Sequence, residues 1–212
     1  MNLYLVRHGQ SIGNLNKTFL GHTDLDLSET GYLQANCVSE YIVNNLKIDK
    51  IYSSDLIRAY NTVLPVAKAL KMEIIKDERL REIKAGLWEN QSYEYLIENF
   101  GDSYNRWLTD IGNAGCDGGE SVQDLKLRIM DRLKEIAEEN PDKNILIGTH
   151  ATPIRIAHCT ISGNPLSEMH NTPWAFNASL THIEYIDGAF NIVEYGKKSY
   201  LGDLITQPSS KV

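Results

Sequence analysis

The fold class is decided by residues 3–11, Leu3-Tyr4-Leu5-Val6-Arg7-His8-Gly9-Gln10-Ser11. Four consecutive apolar residues indicate a strand that is buried on both faces, which is typical of a parallel sheet covered by helices. Arg7 and His8 follow at the carboxyl end of this strand, the edge of an open α/β sheet at which ligands bind. A neutral imidazole is a nucleophile and a guanidinium binds anions through paired hydrogen bonds, so this pair favours a phosphate site.

Two later segments repeat the arrangement of a short strand followed by polar residues. The run Ile145-Leu146-Ile147-Gly148-Thr149 ends at His150, and a helix is expected just after it, with Thr152 as N-cap and Pro153 as first residue. The run 50–55 passes from a strand into a helix whose first turn contains Arg58. If these strands are parallel, Arg7, His8, Arg58 and His150 meet at one edge of the sheet.

The segment between these junctions supplies a carboxylate, Glu82, within Leu80-Arg81-Glu82. Transfer of a phosphoryl group from an alcohol requires a proton for the departing oxygen, and a glutamic acid can donate it. Elsewhere the hydrophobic spacing predicts helices over 29–46, over 56–70 and after Ser121, and strands near 73–75, 180–185 and 191–195. The aromatic-rich stretch 86–119 is expected to form short helices and loops that cap the site.

The composition of the chain limits its size class, its partners and its cellular location. A chain of 212 residues with 42% hydrophobic content can bury one substantial core, and no linker divides it, which predicts one domain over 1–206 and a flexible tail at 207–212. A net charge of -7 argues against nucleic acid or an anionic membrane as partner. The three scattered cysteines, without a CxxC pair, favour reduced thiols and a cytoplasmic location. No His or Cys spacing indicates a metal site, and no apolar segment is long enough to span a membrane.

Several short motifs, taken in order, resemble those of the histidine phosphatase superfamily. They are Arg7-His8-Gly9 with Asn14, Asp24-Leu25-Asp26-Leu27-Ser28 before Gly31, Ser53-Ser54-Asp55 with Arg58, Leu80-Arg81-Glu82, Gly118-Gly119-Glu120-Ser121, and His150. The resemblance extends from about Asn2 to about Gly196. It implies the phosphoglycerate mutase-like fold, a single-domain, three-layer α/β/α sandwich with a mostly parallel sheet.

The resemblance also implies a mechanism, a metal-independent hydrolysis of a small phosphorylated metabolite without a cofactor. His8 would take the phosphoryl group as a phosphohistidine, Glu82 would carry the proton, and Arg7, Arg58 and His150 would stabilise the transferring group. The residues expected to bind the phosphate or substrate are Arg7, Asn14, Gly21, His22, Arg58 and Ala151.

Two other functions are weighed against the phosphatase. A phosphoglycerate mutase of the cofactor-dependent type would carry Tyr-Gly-Gly-Leu after the glutamate and a pair of adjacent arginines, whereas this chain reads Ile83-Lys84-Ala85-Gly86-Leu87-Trp88 and has no adjacent arginines. A catalytically idle binding relative is disfavoured because His8 and Glu82 are both retained. The substrate stays open among phosphoserine, a sugar phosphate, α-ribazole phosphate and a broad range of esters, although the run Thr152-Pro153-Ile154-Arg155 has some likeness to metal-independent phosphoserine phosphatases. Whether the chain forms a homodimer is left open as well.

Overall fold

The computed structural model describes residues 1–207 of the chain. In this part the strands are β1 (Asn2–Arg7), β2 (Thr18–Phe19), β3 (Lys50–Ser53), β4 (Ile74–Lys76), β5 (Gln91–Ser92), β6 (Asn144–Thr149), β7 (Leu180–Ile186) and β8 (Ala189–Lys197). The α-helices are α1 (Ile12–Asn16), α2 (Glu29–Asn45), α3 (Ile57–Leu70), α4 (Tyr93–Asn99), α5 (Gly101–Thr109), α6 (Val122–Glu139) and α7 (Ala151–Ile161). The expected tail at 207–212 lies, apart from Gln207, outside the described residues.

The central sheet has the order β4-β3-β6-β1-β7-β8. The pairs β4–β3, β3–β6 and β6–β1 are parallel, and β7 and β8 continue the sheet as an antiparallel hairpin, so the prediction of a mostly parallel sheet is confirmed. In the parallel part Arg7 lies opposite Thr149, and Ser53 lies opposite Gly148. The residues that follow β1, β3 and β6 therefore leave the sheet side by side at its carboxyl edge.

Alternate residues of the strands pack into two separate clusters, one on each face of the sheet. Leu3 and Leu5 of β1 belong to the cluster that includes α6, α7 and the cap, whereas Tyr4 and Val6 belong to the cluster that includes α2 and α3. This alternation is the consequence of the two-residue period of a strand. The helices cover both faces, and the three-layer α/β/α arrangement is confirmed.

The stretch 86–119 folds as short elements against one end of this core. It contains β5, α4, α5 and two single-turn helices, Gly86–Trp88 and Ile111–Asn113. Trp88 and Trp107 are fully buried and meet edge to face at 6.1 Å between ring centroids. Phe19 lies edge-on against Trp107 at 5.2 Å, and its strand β2 pairs with β5. The cap is thereby joined to the segment that follows His8.

Two helix starts differ from the sequence prediction. Helix α7 begins at Ala151 with His150 as N-cap, so Thr152 and Pro153 are its second and third residues. The reason is that the extended backbone of His150 leads straight from β6 into the helix and leaves no loop between them. Helix α3 has Leu56 as N-cap, and the carboxylate of Asp24 accepts a 2.7 Å hydrogen bond from the Ile57 amide. A distant loop residue thus satisfies this helix end.

Candidate active site

Four side chains from three strand ends converge at the carboxyl edge of the sheet. The ring centroids of His8 and His150 are 5.2 Å apart, and Arg7 and Arg58 line the same cleft as His8. All four residues are buried. The backbone fixes this meeting, because the His8 amide donates to the Thr149 carbonyl at 2.9 Å and the Gly9 amide donates to Thr62 Oγ1 of α3 at 2.9 Å. The structure therefore brings together the residues that the strand pattern placed at one edge.

His8 is held in a single tautomer. Its Nδ1 lies 2.7 Å from the Gly9 carbonyl oxygen, which can only accept, so Nδ1 carries the proton and Nε2 keeps its lone pair. Burial lowers the pKa of His8 well below its usual 6.5, and the positive charges of Arg58 and Arg7 lower the pKa further. A neutral ring with a free Nε2 lone pair is the form in which histidine is a nucleophile.

Three buried nitrogen atoms around His8 have no hydrogen-bond partner within residues 1–207. Arg7 donates from Nη1 to the Ala175 carbonyl, and Arg58 donates from Nη1 and Nη2 to the carbonyls of Thr23 and Gly21, but Nε of each arginine is unpartnered. His150 uses Nε2 in a 2.9 Å contact with Ser54 Oγ, and its Nδ1 is unpartnered. An unsatisfied buried donor costs about 1–3 kcal/mol, so the two Nε–H groups beside one histidine indicate a receptor for an anion.

The two arginines keep their charge in this environment. Burial lowers the pKa of Arg58 to about 10, and burial also lowers the pKa of Arg7. The carboxylate of Glu82 acts in the opposite direction on both pKa values. A guanidinium stays protonated in proteins, so both arginines give the cleft a local positive field in an acidic protein.

Glu82 lines the cleft with both of its carboxylate oxygens held by backbone amides. Oε1 accepts from the Ile83 amide at 3.0 Å, and Oε2 accepts from the Thr152 amide in the first turn of α7 at 3.3 Å. Its own carbonyl oxygen accepts from His22 Nε2 at 2.9 Å and from Arg128 Nη2 at 3.1 Å. The carboxylate is thus fixed in orientation from two sides and stays within the cleft.

The cleft beside His8 has an empty volume of about 460 Å³ when its opening to solvent is counted. Asn14, Gly21 and Ala151 line it together with Arg7, His8, Arg58 and Glu82. His22 lies outside this lining, and the expected contact of His22 with the substrate stays a prediction. The His22 amide binds Glu89 and its ring binds the Glu82 carbonyl, so the side chain faces a neighbouring depression that Arg128 also lines.

The loop that carries Gly21 is organised by Glu89, a residue that the sequence patterns did not single out. The carboxylate of Glu89 accepts from the amides of His22, Thr23 and Ala85 and from Thr23 Oγ1, at 2.7–2.9 Å. Gly21 has a φ of +51°, and a Cβ there would lie 2.4 Å from the Cβ of Ala85. Because Gly21 and Thr23 provide the carbonyls that hold Arg58, Glu89 sets the position of that arginine.

No cluster of three or more His, Cys, Asp or Glu side chains within 1–207 could hold a metal ion. Among the helices of that range, none combines the length and the apolar character needed to cross a membrane.

Comparison with known proteins identifies the family of this chain. The model for the histidine phosphatase superfamily (branch 1) matches residues 3–198. The chain belongs to the histidine phosphatase superfamily. This histidine phosphatase is 30% identical over 210 residues to phosphoserine phosphatase 1 of Hydrogenobacter thermophilus, an alignment that covers 98% of this chain and 97% of that one. The chain is accordingly a phosphatase.

Solved structures agree with this family and with the phosphoglycerate mutase-like fold. YhfR of Bacillus stearothermophilus superposes with a TM-score of 0.90 and 26% identity, covering 94% of this chain and 98% of that one. A phosphoserine phosphatase mutant from Entamoeba histolytica, solved in complex with phosphoserine, superposes with a TM-score of 0.83 and 26% identity, covering the same shares.

Asn177 is a further residue of this histidine phosphatase site, and no sequence motif predicted it. Its Nδ2 donates at 3.1 Å both to the His8 carbonyl and to Oδ1 of Asn14. The same Asn14 oxygen accepts from the Ser11 amide in the capping box of α1. With Oδ1 occupied in this way, Asn14 is held in place at the cleft wall.

Proposed function

We propose that this histidine phosphatase hydrolyses the phosphate monoester of a small metabolite through a phosphohistidine formed on Nε2 of His8. The observation that supports this most strongly is the pair of unpartnered buried Nε–H groups, on Arg7 and Arg58, beside a neutral histidine whose tautomer leaves Nε2 free. A phosphoryl group bound between them satisfies both donors and brings phosphorus to the nucleophile.

The first step forms one bond and breaks another. Nε2 of His8 attacks phosphorus, the bond from phosphorus to the ester oxygen breaks, and a protonated Glu82 donates its proton to that oxygen. The phosphorylated ring gains positive charge, which the hydrogen bond from Nδ1 to the Gly9 carbonyl stabilises. Arg7, Arg58 and His150 donate to the equatorial oxygens, on which negative charge is spread in the transition state.

The second step restores the enzyme. Water attacks phosphorus, the carboxylate of Glu82 takes a proton from that water, and the bond between Nε2 and phosphorus breaks to release inorganic phosphate. Glu82 is protonated again and His8 regains its lone pair, so atoms and protons balance over the cycle. The two guanidiniums supply the charge stabilisation, and we expect no metal requirement.

The free thiols of the chain support a proposal for its cellular location. Cys37, Cys116 and Cys159 are all free, and a chain with unpaired cysteines is typical of a reducing compartment. We propose that the enzyme acts in the cytoplasm.

Turnover of para-nitrophenyl phosphate and of a panel of phosphorylated metabolites tests the proposed function. Purified protein should release phosphate, and His8→Ala should reduce release to the level of a blank. His170→Ala is the matched control, because His170 lies on the exposed surface away from the cleft, and it should keep the wild-type rate. Release that persists in His8→Ala would overturn the proposal.

A further inference from the structure

The carbonyl oxygen of His8 accepts two hydrogen bonds from one turn in the loop before β7. Asn177 Nδ2 donates to it at 3.1 Å, and the Ala178 amide donates to it at 3.2 Å. The same Asn177 nitrogen also donates to Oδ1 of Asn14, a residue of the cleft lining. This turn therefore holds the backbone of the nucleophile and one wall of the cleft together.

Both residues of this turn depend on support from elsewhere in the chain. Ala178 has a φ of +53°, in the left-handed region that residues with a Cβ atom rarely adopt. Asn177 is only 3% exposed, so its side-chain oxygen has to be satisfied within the protein. The contacts to His8 are thus made by a residue in a disfavoured conformation and by a buried amide.

Residues 199–206, which follow β8, supply this support. Tyr200 donates through its hydroxyl to the Ala178 carbonyl at 2.7 Å. Thr206 Oγ1 donates to Oδ1 of Asn177 at 3.1 Å. One hydroxyl group of the segment therefore holds each of the two residues that hold His8.

The direction of the hydrogen bonds at Thr206 is set by Gln34 of α2, which is fully buried. Gln34 Oε1 accepts from the Gln10 amide at 2.7 Å, and Nε2 donates to the Leu204 carbonyl at 2.7 Å and to Thr206 Oγ1 at 3.1 Å. A backbone amide can only donate and a carbonyl can only accept, so these two partners fix the orientation of the Gln34 side-chain amide. Because Thr206 Oγ1 accepts a hydrogen from Gln34, its own hydroxyl hydrogen is directed to Asn177.

We propose that Tyr200 and Thr206 are positioning residues for the nucleophile, and that they act through Ala178 and Asn177 respectively. Both lie outside the cleft lining in the part of the chain that the structure describes, so they act on the phosphoryl group through other residues. The inference rests on the proposed function, because it requires His8 to be the group that attacks phosphorus. Loss of either hydroxyl removes one support of the turn and lets the imidazole shift relative to the bound phosphoryl group. A misplacement of about 1 Å can lower a rate on the order of 100-fold.

Removal of each hydroxyl tests the inference. Thr206→Val keeps the shape of threonine, and Tyr200→Phe keeps the ring that stacks on Tyr41 at 4.8 Å between centroids. At a temperature at which the variants are folded, each should lower the first-turnover rate with an alkyl phosphate on the order of tenfold, whereas Thr206→Ser, which keeps the hydroxyl, should stay within about twofold of the wild type. Thr109→Val and Tyr95→Phe are the matched controls, because both residues are exposed and lie outside the cleft lining, and they should keep the wild-type rate.

A double-mutant cycle separates positioning through Asn177 from a general loss of stability. If Thr206 acts through Asn177, then Thr206→Val should cause no further loss of rate in an Asn177→Ala background. A loss in that background equal to the loss in the wild-type background would overturn the inference.

Two other results would also overturn it. They are a wild-type rate in folded Thr206→Val or folded Tyr200→Phe, and a loss in Thr206→Ser as large as the loss in Thr206→Val. The comparison of valine with serine at position 206 decides the inference even where Asn177→Ala does not fold. Failure of the proposed function is a different result, namely that the wild type hydrolyses no ester or that hydrolysis survives in His8→Ala.

Discussion

Replacement of Glu82 by glutamine tests the proton carrier of the proposed reaction. In the structure Oε1 accepts from the Ile83 amide at 3.0 Å and Oε2 accepts from the Thr152 amide at 3.3 Å. A glutamine side chain fills the same space but has one acceptor oxygen, so its NH2 group must face one of these amides. We expect the oxygen to keep the shorter contact to Ile83, and the longer contact to Thr152 to be lost. The backbone of residue 82 stays held by His22 and Arg128.

The size of the effect depends on the leaving group. General acid catalysis is worth on the order of 10²–10⁴ in rate, which corresponds to about 2.7–5.4 kcal/mol of barrier. An alkyl phosphate should lose that much in Glu82→Gln, because an alkoxide needs a proton as it departs. Para-nitrophenolate leaves without a proton, so phosphorylation of His8 by para-nitrophenyl phosphate should be reduced much less.

Rapid-quench measurement of the first turnover is the assay, since Glu82 is also the base for the water step and steady-state rates could fall with both substrates. Glu78→Gln is the matched control, because Glu78 is exposed and lies outside the cleft. An equal loss of first-turnover rate with both substrates would refute the role of Glu82 as acid. Glu120, the other carboxylate near this segment, binds Arg128 and the Lys84 amide rather than the cleft.

Four further predictions concern the hydrogen bonds of Arg128 to the Glu82 segment, the effect of pH on activity and on stability, and metal ions. Arg128 donates to the carbonyls of Arg79, Arg81 and Glu82. Arg128→Met should release Glu82 and lower the first-turnover rate with an alkyl phosphate on the order of 10- to 100-fold. An unchanged rate would contradict this. The pKa of His8 lies well below 6.5, so protonation of His8 should not halve kcat/KM near pH 6.5. The pKa of His150 is lowered in the same way. Below pH 6.5 the unfolded chain therefore binds protons that the folded chain does not. As the pH decreases, the free energy of unfolding measured in urea should fall by up to about 1.4 kcal/mol per pH unit for each histidine. EDTA should leave the rate unchanged, whereas a loss restored by magnesium or zinc would contradict metal independence.

The sheet and the meeting of four site residues could be predicted from the sequence because both depend on local pattern. An apolar run that ends in polar residues indicates a buried strand and its carboxyl end, and parallel pairing then aligns the ends of β1, β3 and β6. The register of Arg7 opposite Thr149 shows the alignment directly. The bounds of α2 and the start of α6 also followed from the spacing to within one residue.

What the sequence did not predict depends on contacts between distant segments. The amide of His22 binds Glu89, far along the chain, and the His22 ring binds the Glu82 carbonyl, two contacts that no local pattern indicates. Asn177 reaches His8 and Asn14 from a loop before β7, and no motif marks it. The start of α7 was misplaced because Thr-Pro is a strong local signal, whereas the direct passage from β6 through His150 decides the structure.

Detection of the phosphorylated enzyme tests the central claim most directly. Wild-type protein mixed with a ³²P-labelled monoester and quenched in alkali within the first turnover should carry label on His8, mapped by peptide analysis. That label should be lost in acid, as expected for a phosphoramidate bond, and it should be absent from His8→Ala and present in His170→Ala. Acid-stable label, or label that persists without His8, would contradict the account.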